Sequence, residues 1–271
     1  MSLGPIATGR MVVVAIVANV MIAGCQTSAL GRRQLKLMSE TEMSQLGTSA
    51  FAEISAQTPP SRDALKNAKV ACVANAITAS LAGVDSRTRW EVRVFADDTP
   101  NAFALPGGKI GVNTGLLKVA RTQGQLAAVI GHEVTHVTQG HANERVSTEL
   151  ATQTALQVAS AVADASNPVH SQMIGLLGAG VQVGVLLPYG RKQEREADLV
   201  GLELMAQAGF DPNESITLWQ NMSKAGGAQP PEFLSTHPSH NSRIYELKRH
   251  IPKAIPLYEN AKARAQTPRC Y

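Results

Sequence analysis

Apolar residues recur at three- and four-residue intervals from about Ser39 to Ile54 and again from Ser61 to Leu81, which predicts two amphipathic helices parted by Pro59 and Pro60. The period then drops to two. Trp90, Val92 and Val94 alternate with Glu91, Arg93 and Phe95, the pattern of a half-buried strand. Two more extended runs follow, Asn101, Ala102, Phe103, Ala104, Leu105 and then Lys109–Asn113, joined by Pro106, Gly107 and Gly108, whose turn chemistry favours a hairpin. Beyond Thr114 the pattern is helical to the end. One helix starts near Thr122, where the hydroxyl can cap it and Gln125 can reach back in a capping box, and runs to about Gly140. Met173–Leu187 is an almost uncharged stretch of 15 residues stopped by Pro188, too short at helical rise to span a bilayer and so expected as a buried helix. The pattern predicts a mainly helical α+β chain with a sheet of three or four strands beside the helix of residues 122–140.

The N-terminus follows another logic. Its first 24 residues carry one charge, Arg10, and then an apolar run ending at Cys25, the layout of a secretory signal. Ile22–Cys25 reads I-A-G-C and resembles the lipobox of bacterial lipoproteins, which implies cleavage and a lipidated Cys25. Gln26, in place of Asp, implies sorting to the outer membrane. The expected organisation is a signal peptide over 1–24, a lipidated N-terminus and tether over 25–37 with no chemistry to offer, and one catalytic domain over 38–271 on the periplasmic face of the outer membrane. An ordinary cleaved signal or a short anchor helix is the other reading, and it also exports the domain. With Cys25 acylated, Cys72 and Cys270 remain: either a disulfide tying the tail to the first long helix, or two free buried thiols.

Composition excludes some functions. A chain of 271 residues with 44% hydrophobic content can bury a full core. A formal charge of +4 on a chain only 17% charged, with 4% aromatics, offers neither an electrostatic track nor a stacking platform, so nucleic acid is excluded as a partner.

The chemistry concentrates in Gly131–His141, GHEVTHVTQGH. His132 and His136 stand four apart on one helix face, where both imidazoles can reach one tetrahedral ion, and Glu133 flanks that ion as a general base for its water. Leu126, Val129 and Ile130 bury the same helix, as a site on a rigid element requires. The third ligand decides the class. Gln139 and Ala142 stand where the metzincin pattern needs glycine and histidine. On a continuing helix His141 would point about 140° from the ligand face, leaving it a role at the helix C-terminus. In RKQEREADLVGLELMAQAGF, Glu194, Asp198 and Gly201 share one face. Glu194 is the candidate third ligand, and Asp198 can accept the free N–H of a ligating histidine. Glu196 points elsewhere. A solvated acidic face, with Glu144 or Glu149 as the ligand, is the competing assignment.

Four stretches together carry a family resemblance: NAFALPGGKIGVNTGLL from Asn101, GHEVTHV from Gly131, PYGRKQEREAD from Pro188 and STHPSHNSRI from Ser235. In their order and spacing, over roughly residues 85 to 250, the chain resembles the HtpX-like and CAAX-prenyl-protease-like metallopeptidases of family forty-eight, and among them the exported bacterial lipoproteins. The resemblance implies a zincin-type fold, one Zn2+ per chain on His132, His136 and Glu194, Glu133 as base and Asp198 behind the ligands. Gly190, where the family usually has serine, departs from the pattern and affects the turn before the Glu194 helix.

Pro238 keeps His237 out of helical conformation on a loop, where it can hydrogen-bond a developing oxyanion, fill the open zinc position, or serve structurally. His240 and Arg243 are expected to be mostly structural. Asn101–Leu105 is the expected edge strand against which a peptide lies as an added strand. Unfolded or misassembled envelope proteins suit such an edge, and outer-membrane assembly machinery is a candidate partner. A chaperone or assembly factor using the same edge, or a structural lipoprotein with a closed four-ligand metal site, remain alternatives.

Overall fold

The computed structural model describes residues 25–83, 85–162, 189–225, 232–237 and 242–271. The expected signal peptide, the Met173–Leu187 stretch and His240 lie outside them. Among the described residues, no helix is long and apolar enough to cross a membrane.

A small hairpin, β1 (Cys25–Thr27) and β2 (Arg33–Leu35), opens the described chain. Two helices follow, α1 (Glu40–Gln57) and α2 (Ala64–Ala79). Ser39 caps α1 in a full capping box with Glu42, and Asp63 caps α2 through the Lys66 N–H. Then come β3 (Glu91–Phe95), β4 (Ala102–Leu105) and β5 (Lys109–Asn113). The rest is helical: α3 (Leu116–Val119), α4 (Gln123–Thr138), α5 (His141–Val162), α6 (Arg191–Gln207), α7 (Glu214–Ala225), α8 (Glu232–Thr236) and α9 (Arg243–Ala263). The α+β, mainly helical class expected from the sequence is the class observed.

The predicted hairpin forms, with β4 antiparallel to β5, and β3 joins β5 in parallel, so the order is β3-β5-β4 with β4 at an edge. The sheet separates two apolar layers. On one side Val94, Ile110 and Val112 pack with Val70 and Ile77 of α2 and with Leu126 and Ile130 of α4. On the other, Phe51 of α1 meets Phe95 and Phe103 edge-on while those two rings stack on each other, joined by Leu105 and by Val146 of α5. Because both faces are covered there, Val94 and Phe95 are both buried, at 5% and 0% exposure, where alternation predicted only one.

Three expectations change. The segment after Cys25 is no free tether: Gln34 is 1% exposed and Arg32 pairs with Glu144 and Glu196. Thr122 caps α4 at the Gln125 N–H, but the Gln125 carboxamide returns to the Arg121 N–H, one residue earlier than a capping box requires. The helix ends at Thr138, close to the expected Gly140, but His141 does not continue it: Gly140 adopts φ +65° and His141 begins a new helix in another direction. The structure joins Cys72 on α2 to Cys270, fixing the tail across 198 residues of chain.

The main packing is α4 against α6, and it is close because it is made through glycine. A Cβ on Gly201 would stand 2.8 Å from the His132 N and 2.9 Å from the Gly131 carbonyl carbon, and one on Gly131 would stand 2.8 Å from the Gly201 O. Gly201→Ala should therefore cost about 1–3 kcal/mol of stability by overpacking and push α6 away from α4. The expected outcome is a lower Tm together with reduced zinc content by atomic absorption; unchanged values for both would show that the crossing tolerates a methyl.

Candidate metal centre

The α4–α6 crossing brings the sequence's separate candidates together. Nε2 of His132 and Nε2 of His136 lie 3.0 Å apart. From the facing helix, Glu194 places Oε2 3.6 Å from the first and Oε1 3.4 Å from the second. His237, from the end of α8, sets Nδ1 3.3 Å from His132 Nε2 and 3.0 Å from Glu194 Oε1. One donor atom from each of these four lies within 4.8 Å of all the others, and all four residues are buried. A tetrahedral zinc with bonds of about 2.0–2.1 Å separates its ligands by about 3.3 Å, so this donor set fits one zinc ion.

Local chain chemistry explains the placement. The i, i+4 spacing puts His132 and His136 on one face of α4. Gln193 bonds back to the Gly190 N–H at 3.1 Å; Gly190 has no side chain to complete the box, and α6 starts in register nonetheless. His237 is held by its own N–H on the Phe233 carbonyl at 2.8 Å and by ring stacking on Phe233 at 4.5 Å.

Asp198 accepts from Nδ1 of His132 at 3.0 Å, which directs Nε2 at the site. Burial alone would lower the His132 pKa, but the Asp198 hydrogen bond together with the negative charges of Glu194, Asp198 and Glu133 outweighs it and raises the value, making the ring a stronger donor. Burial pushes His136 well below the ordinary histidine value. Burial would raise Glu194, but its contacts with His136 and His237 outweigh this and hold the carboxyl well below the usual range. A neutral imidazole and an ionised carboxylate are the forms that bind a metal. Glu133 lies beside the cluster with its carboxyl pushed up by burial. Its Oε2 accepts from the Ala104 N–H at 3.1 Å, and its Oε1 is buried without a hydrogen-bond partner, 3.4 Å from Nε2 of His237.

Four residues join the site that the sequence did not assign to it. Arg243, expected to be structural, is 2% exposed, donates to Asp198 and Glu194 at 2.6 Å each, and lies 3.9 Å over the Trp219 ring. It came from the recognisable STHPSHNSRI stretch, but its partners sit 45 and 49 residues away. His141 does not point away from the ligands: the break at Gly140 returns its Nδ1 to within 2.9 Å of His136 Nδ1. His141 opens α5 rather than closing α4, which overturns a role at a helix C-terminus, and burial pushes its pKa down. Tyr189 stacks on His136 at 3.7 Å with Arg145 over its other face at 3.9 Å, and burial pushes its phenol up to about 12. Glu196 faces away from Glu194 as its spacing requires, but into the protein, at 1% exposure. The rival ligands are elsewhere: Glu144 pairs with Arg32 and Glu149 bonds the Gln153 carboxamide at the surface.

Edge strand β4 borders the cluster. Asn101, one residue before it, accepts from the Asn113 N–H, so Phe103 and Leu105 bond toward β5 while Ala102 and Ala104 turn their peptide groups to the cleft. A cavity of about 290 Å3 runs beside this edge between Ile54, Phe103, Glu133 and His237. A second, of about 450 Å3, continues past Gly107 toward Lys36 and His136, and Tyr189 lines both. Substituting Glu194→Gln should cost the protein its stoichiometric zinc, measured after dialysis, while Glu149→Gln retains it; the reverse result would reassign the third ligand.

Comparison with known proteins agrees with the geometry. The model of Peptidase family M48 matches residues 64–251. The mitochondrial metalloendopeptidase OMA1 of Schizosaccharomyces pombe is 38% identical over 188 residues, 69% of this chain and 52% of that protein. OMA1 of Homo sapiens is 33% identical over 243 residues, 85% of this chain and 45% of its own. The beta-barrel assembly-enhancing protease of Yersinia pestis is 27% identical over 259 residues, 93% of this chain and 52% of its own. The chain spans about half the length of these relatives. With the matched region holding His132, Glu133, His136, Glu194 and Asp198 together, this chain belongs to peptidase family M48.

Proposed function

We propose that the protein is a zinc-dependent endopeptidase of the bacterial cell envelope that cleaves misfolded or misassembled exported proteins. The observation that carries the reading is the buried cluster of His132, His136, Glu194 and His237 against a sheet edge, with a hydrogen-bonded carboxylate beside it. Zinc bound by His132, His136 and Glu194 supplies Lewis acidity that polarises a peptide carbonyl and acidifies water. Oε1 of Glu133 takes the proton from the attacking water and returns it to the departing amine, while the Ala104 N–H on Oε2 fixes the carboxylate's aim. His132 is oriented by Asp198 and Arg243 throughout. Ala102 and Ala104 offer main-chain groups to an extended peptide, so side chains are read loosely and unfolded segments are preferred.

His237 completes a four-cornered donor set and so closes the position that substrate needs. On this reading the ring blocks the site at rest; the alternative role for the same ring is to donate a hydrogen bond to the developing oxyanion. The lipobox-like Ile22–Cys25 and the relative named a beta-barrel assembly-enhancing protease support an outer-membrane location, attached through lipid on Cys25, and client proteins of the envelope. The same name supports an assembly role alongside proteolysis, carried by the β4 edge.

Glu133→Gln should lower casein cleavage by about 10²–10⁴-fold while zinc stays bound. Survival of envelope complementation in that variant would assign the function to binding instead of hydrolysis. His237→Ala should raise casein cleavage by freeing the fourth corner; a loss of activity would give it the oxyanion role alone, and no change would remove both.

A further inference from the structure

Each ligand histidine needs its second ring nitrogen held if the first is to face an ion. For His132 the holder is Asp198, fixed by Arg243. For His136 it is another imidazole, and the order of donors along that path determines what must stand at its end. His136 turns Nε2 to the cluster, so its proton resides on Nδ1 and is donated to Nδ1 of His141, 2.9 Å away. His141 then carries its own proton on Nε2 and donates it to Oε2 of Glu196 at 3.1 Å. The path ends on an acceptor, as it must, and that acceptor is held from outside the helical core.

What holds it is the segment just after Cys25. Arg32 donates to Glu196 Oε2 through Nε at 3.3 Å and Nη2 at 3.0 Å, and the Leu30 N–H donates to Oε1 at 3.1 Å. Glu144 fixes the guanidinium from its other side, through Nη1 and, at 2.8 Å, through Nη2. Gln34 binds both Glu144 and the Gln139 carbonyl, clamping the turn at Gly140 that aims His141. These are not surface pairs: the Arg32 side chain is 19% exposed, Glu196 1% and Glu144 15%. A fork of this kind on two carboxylates has the geometry in which an ion pair orients its partners.

We propose that residues 28–34, through Arg32, form a positioning element for the metal centre: they hold Glu196 against His141 and thereby fix the ring and tautomer of His136. The element lies outside residues 64–251, the part that the family model matches. It rests on the zinc reading of His132, His136 and Glu194, but it fails separately. Absence of zinc from the wild-type protein would overturn that reading, whereas wild-type zinc with unaltered variants would overturn only this one.

The test is zinc affinity by competition with a chromophoric chelator, together with the visible spectrum of the cobalt-loaded protein. Arg32→Met should weaken zinc by about tenfold or more and alter the cobalt bands, the range seen when such outer contacts are lost. His141→Phe should do the same, while His141→Gln, which can accept at one end and donate at the other, should retain most of the affinity. Lys118→Met, which breaks the exposed pair with Asp98, should change neither readout. If Arg32→Met does not fold, Glu196→Gln reads the same path with its volume kept. Affinity and spectrum both unchanged in folded Arg32→Met and His141→Phe, or a lowered Tm with zinc affinity intact, would reduce the segment to scaffold.

Discussion

The close crossing of α4 and α6 is the constraint on which the site depends. The two helices touch backbone to backbone at Gly131 and Gly201, one residue from His132 and two turns from Glu194. A methyl group at that contact would separate the helices by about an ångström, whereas metal bonds tolerate about 0.2 Å. The apolar layer of Leu126, Ile130, Leu202 and Met205 supplies the pressure that closes the crossing, and the two glycines set how far it closes. Stability and chemistry thus meet at one point of contact, and neither helix has freedom to trade one for the other.

Around that crossing the polar interior is organised in two parallel arms. One runs His132, Asp198, Arg243; the other runs His136, His141, Glu196, Arg32. Both carboxylates come from α6, which also supplies Glu194, so three acids in five residues face two directions and all are buried. Such a concentration of charge is costly to bury unless each group is paired. Here every acid meets a cation or an imidazole proton, and the pairing that offsets the burial is the same pairing that aims the histidines. The arms differ in origin: one arginine belongs to the C-terminal helix, the other to the hairpin that follows Cys25.

The sheet contributes less mass but decides access. By placing β4 at the edge nearest α4, the order β3-β5-β4 sets the peptide groups of Ala102 and Ala104 beside Glu133. Helix α1 covers the outer face through Phe51 and brings Ile54 to the cleft wall. The N-terminal forty residues of the described chain therefore line the cleft on one side and brace a metal-facing histidine on another.

Residue spacing alone determined much of this protein. Helical period placed His132 and His136 on one face, and Glu194, Asp198 and Gly201 on another, because side chains four apart on a helix align whatever lies around them. Alternation and turn chemistry gave the β4–β5 hairpin, since both act over a few residues. Failures came where direction depends on a chain break or a distant partner. His141 lies five residues from His136, and a continuing helix would carry it away; the left-handed turn at Gly140 reverses it, and nothing short of the fold says which occurs. Arg243 read as merely structural, Arg32 as part of a tether and Glu196 as pointing away from the site, because ion pairing is not periodic and their partners are brought near only by packing. The disulfide between Cys72 and Cys270 stayed open for the same reason: residue type named the two candidates, and only the folded distance could join them across 198 residues.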